Sequence, residues 1–113
     1  MTTLMTKDDV VPGSCNSNFE GQWLVLDPSK YMKAEYRNAK NQLYFATGGF
    51  GCDPRKMGRK IFGTFAADFD SDYIAIREEV IGIATPEAIE KWKETYPECA
   101  ANVEKVEKEA VLI

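Results

Sequence analysis

From Trp23 to Ala84 the apolar residues fall in short runs and alternations, and from Ile89 onward they recur every three or four positions. The first pattern is that of strands, the second that of helices facing a core. Residues 1–21 show neither. They are polar, rich in Gly, Ser and Asn, and predict a poorly ordered or loosely docked lead. The run 22–27 (QWLVLD), with Trp23 and Val25, predicts a strand. Asp27-Pro28 then has the form of a helix start, an N-cap followed by a proline whose missing N–H costs nothing there. Tyr31, Ala34 and Ala39 would give one face of a short helix ending before Gln42.

Strands are predicted over 43–47 and 60–67. In the second, Ile61, Gly63, Phe65 and Ala67 share one face, with Phe62 and Thr64 on the other. Gly63 inside a strand predicts a bulge or a close backbone approach. The stretch 68–72 (DFDSD) predicts a turn, because Asp and Ser bond back to their own backbone. Segments 73–77 and 80–84 complete a meander or one long bent strand, with Ile74, Ile76, Val80, Ile81 and Ile83 as β-branched bulk. Thr85-Pro86-Glu87 is the clearest helix start in the chain. Ile89, Trp92 and Tyr96 mark its buried face, and Pro97 ends it. Glu and Lys alternate around Val103 and Val106 over 102–109, again at helical spacing; 110–113 suit either the end of that helix or a terminal strand. The expected fold is α+β: one domain over 1–113, a small curved antiparallel sheet of about four to five strands with about two helices packed on it.

Composition narrows the chemistry. The chain has 113 residues and no histidine, which removes the commonest general base and every Ser-His or Cys-His nucleophile. Its three cysteines, Cys15, Cys52 and Cys99, are far apart and odd in number, so free thiols are expected rather than a disulfide framework or an all-Cys zinc site. A net charge of −4 argues against duplex DNA binding by the overall field. No apolar run suits a membrane span, and Lys7, Asp8 and Asp9 fall where a signal peptide would be apolar, so a cytoplasmic protein is expected.

Two segments remain as candidate sites. Within 42–65, Gly48, Gly49, Phe50 and Gly51 lead into a loop carrying Arg55, Lys56, Arg59 and Lys60. Glycines that bring backbone N–H groups close, with cations beside them, suit a nucleotide or another phosphate ligand. The pattern matches neither common phosphate fingerprint: Pro54 stands where GxGxxG needs glycine, and Gly58 is followed by Arg59. A strand connection with a solvated basic tip explains the same residues. Cys52, beside those cations, has the charge environment of a reactive thiolate but no base. The second segment is acidic. Asp68, Asp70, Asp72 and Glu79 copy the acidic spacing of a calcium loop, but Tyr73 occupies the position that requires glycine. With Glu78 they form a stripe of five acids suited to a basic groove on a partner, against the plainer reading of a solvated turn. Trp23, Trp92 and Tyr96 are anchors if exposed and core if not. No catalytic residue, metal or cofactor is expected.

The segment 42–82 resembles a group of small proteins carried by phages and other mobile elements. The likeness rests on the GGFG turn at 48–51, Pro54, Gly58, a strand holding Gly63, the acidic turn, and Arg77 followed by Ile81-Gly82. It covers about a third of the chain. Such proteins include inhibitors of host defences, anti-CRISPR proteins among them. The resemblance implies a non-enzymatic protein whose partner is a host protein or ribonucleoprotein complex, and it supplies no catalytic residues.

Overall fold

The computed structural model describes residues 4–14, 19, 21–31, 34–49 and 60–111. Its strands are β1 (Trp23–Leu26), β2 (Leu43–Gly49), β3 (Lys60–Phe65), β4 (Asp68–Ile76) and β5 (Val80–Ile83). Two helices follow, α1 (Pro86–Thr95) and α2 (Ala100–Val111). The strands form one antiparallel sheet in the order β4-β3-β2-β1-β5. Register shifts in β1–β5, β2–β3 and β3–β4 insert extra residues, which bend and twist such a sheet. The α+β class and the two helices agree with the sequence pattern.

Every residue of β1 is buried because both faces of the sheet are covered. Strand alternation sends Trp23, Val25 and Leu43 to one face, where Ala88 and Trp92 of α1 and Val103 of α2 join them. Thr85 caps α1 by accepting from the Ala88 N–H at 3.1 Å, and Trp92 Nε1 donates to the Lys40 carbonyl. Leu24, Leu26, Tyr44 and Ala46 point to the other face, where they meet Ile61, Phe65, Ala75 and Tyr31. Among the described residues, that face meets no helix of the α type. Phe19, Tyr31 and Tyr36 pack on it, and the described residues from 28 to 42 fold into three separate 3-10 turns, Pro28–Lys30, Ala34–Tyr36 and Ala39–Gln42.

Those turns replace the short helix expected after Asp27. Asp27 does act as an N-cap, accepting from Ser29 N, but the chain is extended again at Tyr31. Asn38 then starts the last turn by accepting from Asn41 N. Side chains that bond to nearby backbone compete with helix propagation.

Two further expectations are corrected. The stretch 68–72 is not a turn: Asp68 begins β4, and the reversal falls at Ala66–Ala67, which also ends β3 before the expected Ala67. The Ala66 carbonyl accepts from Asn102 Nδ2 at 2.9 Å, so a side chain of α2 holds a turn that lacks turn-forming residues. The lead is also more closely docked than its composition suggests over 4–14. Met5 is 1% exposed and Val10 is buried. Gln42, itself buried, accepts from the N–H groups of Leu4 and Met5 and donates to the carbonyls of Met5 and Leu26. Its amide is thus fully satisfied. At the other end, α2 runs through Val111, which places 110–111 in the helix rather than a strand.

Candidate interaction surface at the β3–β4 end of the sheet

The helices cover only part of their face of the sheet. Beyond them, on β3 and β4, lie Phe62 (43% exposed), Ile74 (54%) and Ile76 (39%). Phe62 and Ile74 are direct cross-strand partners, and Ile76 pairs with the exposed Lys60. Three of the four large hydrophobic residues that are exposed among those described therefore belong to one patch. Single exposed apolar residues are ordinary, but a contiguous group is the pattern that marks contact surfaces.

Register also shows what the outer edge of β4 presents. Ala66 N donates to Leu43 O, and Thr47 Oγ1 donates to Phe62 O, so the even-numbered backbone groups of β3 turn toward β2. The odd-numbered groups, at Ile61 and Gly63, turn toward β4 and meet Ala75 and Tyr73. Asp72 and Ile74 then direct their backbone N–H and C=O groups outward. No described strand pairs with them. The N–H of Ile76 lies at the end of this edge and is closed by Glu79, whose Oε1 accepts it at 2.8 Å.

Beneath the patch is a rigid support. Tyr31, Tyr36, Tyr44, Phe65 and Tyr73 form a continuous ring cluster, with Phe65 and Tyr73 stacked at 4.8 Å. The Tyr44 hydroxyl donates into the carbonyls of Ile61 and Tyr73, binding β2 to β3 and β4. Gly63 makes this approach possible, because a Cβ there would sit 2.1 Å from Phe45 O and 2.9 Å from the Tyr44 ring. This is the close backbone approach expected at that glycine. Tyr73 donates its hydroxyl to Glu79 Oε2 at 2.7 Å. Burial first, and then the hydrogen bond to Glu79 and its charge, push the Tyr73 phenol far above its ordinary range. Burial, and then Glu79, do the same to Tyr31. Both phenols remain protonated donors.

Among the acids expected to form a stripe, Asp68 and Glu78 are exposed, and Asp70 and Asp72 lie within β4. Glu79 does not belong to it. At 2% exposure it faces inward, committed to Ile76 and Tyr73, and is lost to a partner and to a calcium loop alike. Of the glycine-loop residues, Gly49 ends β2 and Lys60 begins β3; Phe50, Gly51, Cys52, Arg55, Lys56 and Arg59 lie outside the described residues. Trp23 and Trp92 are core, and Tyr96 is half-buried against Trp92. Among the described residues the exposed large aromatic is Phe62, which the alternation in 60–67 separates from Ile61 and Phe65.

A shallow cleft of about 390 Å³ adjoins the start of β4, lined by Tyr36, Asn38, Lys40, Phe65 and Asp68. Among the described residues, no buried side-chain polar atom lacks a hydrogen-bond partner. No described helix is long and apolar enough to cross a membrane. The chain matches no family model, no curated protein and no solved structure in the three comparisons made.

Proposed function

We propose that this chain is a non-enzymatic, cytoplasmic binding protein of a mobile element, and that it occupies the nucleic-acid groove of a host defence complex. A CRISPR effector is the first partner to test. The observation that supports the reading is the β3–β4 end of the sheet. There an exposed apolar group of Phe62, Ile74 and Ile76 adjoins a strand whose sequence contains Asp68, Asp70 and Asp72. A groove built to hold phosphates is lined with cations, and an acidic strand complements it. The apolar residues would supply the desolvated centre of the contact and the acids its rim. The partner class comes from the resemblance of 42–82 to phage proteins, and the lack of any histidine supports a non-catalytic role.

The test is co-elution of the purified chain with purified effector–guide complexes, followed by competition with target DNA. A stoichiometric complex that target DNA displaces is the expected result. Phe62→Asp with Ile74→Asp should weaken it by tenfold or more, equivalent to about 1.4 kcal/mol. Unchanged binding by a variant with Asp68, Asp70 and Asp72 all replaced by Lys would sink the reading.

A further inference from the structure

Resting on that proposed binding role, a second step concerns how the contact is made. We infer that the outer edge of β4 accepts an extended, lysine- or arginine-rich segment of another protein as an added strand. Three observations carry this. First, Asp72 and Ile74 turn their backbone groups outward, and no described strand pairs with them. Such a row of groups is a template for strand addition. Second, the aromatic cluster and the Tyr44 hydroxyl hold the edge from behind, so little ordering is needed before a strand docks. Third, Ile74 and Phe62 give an added strand an apolar surface beside its backbone bonds.

Charge selects the occupant. Antiparallel self-pairing centred on residue 72 sets Asp72 of one copy opposite Asp72 of the other, and pairing centred on residue 73 sets the two acids diagonal to each other. Like charges across a strand pair are destabilising. A second copy is therefore disfavoured in those two registers, and a basic segment gains where a copy would lose. The closed N–H of Ile76 limits the site to a short strand centred on Ile74. Charged and bulged edges also protect sheets from unwanted pairing, and the test must separate recognition from protection.

The experiment uses the whole chain, isotope-labelled, and a short capped peptide of alternating lysine and valine as probe. Its control is the same peptide N-methylated at alternate residues, equal in charge but unable to form the ladder. Amide hydrogen exchange is read at Asp72 and Ile74. Strand addition predicts that saturating probe slows exchange at Ile74 by about tenfold or more, while the control binds at least tenfold more weakly. No slowing would overturn the inference, and equal binding of both peptides would reduce the contact to charge alone. Protection that appears without peptide and grows with protein concentration would assign the edge to a second copy, which also overturns it. These outcomes are separate from the effector test: a face-to-face contact through Phe62 and Ile74 would satisfy that test with no strand added.

Discussion

The two edges of this sheet are finished differently. At β5 the N-terminal segment closes the edge: Val11 N donates to Ile83 O, Ile83 N donates to Ser14 Oγ, and Val10 bridges Ala84. At β4 the corresponding groups of Asp72 and Ile74 meet no described strand, and among the described residues it is Ile76 that is closed, by Glu79. A strand edge left open is a liability that small proteins usually cover. Covering one edge with a docked segment while leaving the other acidic and flanked by exposed Phe62 and Ile74 is the arrangement expected if the open edge has a use.

The largest expected effect comes from removing the support of the open edge. Gly63→Ala drives a methyl group into Phe45 O, and backbone cannot retreat as a flexible side chain can. Chemical denaturation should show a loss above about 3 kcal/mol, or no folded protein. A fully stable variant would mean that β3 does not lie this close to β2.

Next in size is Glu79→Ala, which strands the Ile76 N–H and the Tyr73 hydroxyl together. A cost of about 2–3 kcal/mol is expected, read from the urea midpoint, along with faster exchange at Ile76. The same network sets the alkaline limit. Because the folded-state pKa values of Tyr31 and Tyr73 are raised, their contribution is complete below the unfolded phenol value, near pH 10. It falls as pH rises above that toward the folded values. Stability measured against pH should therefore drop above about pH 10, and a flat profile there would contradict the buried phenol cluster.

These two substitutions also show where sequence reasoning stops. The cap at Thr85-Pro86, the burial of Trp92 and the strands around Val25 and Phe65 are legible because each follows from a local rule. Glu79 was not. Its role depends on Tyr73 and on the backbone of Ile76, which meet only once β4 has formed. Nor was β4 itself legible from its start. Asp is unfavourable in strands, and 68–72 was expected to turn, but α2 fixes the reversal at Ala66–Ala67 and carries the acids into the sheet. Ile74 and Ile76 read only as β-branched strand bulk, because β-branching reveals strand preference and not which face the helices cover. The docked lead has no periodic signal at all; Gln42, far along the chain, holds it.

Smaller effects sharpen the comparison of edges. Ser14→Ala removes the acceptor of Ile83 N and should cost about 1 kcal/mol, with faster exchange at Ile83 and none at Ile74. If Ile83 exchange is unaltered, the N-terminal segment is not what closes β5. Ile74→Lys should change folding stability by less than about 0.5 kcal/mol, because that side chain is exposed. A loss well beyond this would mean that Ile74 serves the core and not a partner.

The most direct test is residue-resolved amide hydrogen exchange on the unliganded chain, comparing Ile74 with Ile83. The two residues lie in opposite edge strands and differ in whether the outward N–H has an acceptor among the described residues. Fast exchange at Ile74 beside strong protection at Ile83 is the predicted result. Equal protection at both would mean that the β4 edge is already covered, and would remove the physical basis for assigning it a partner.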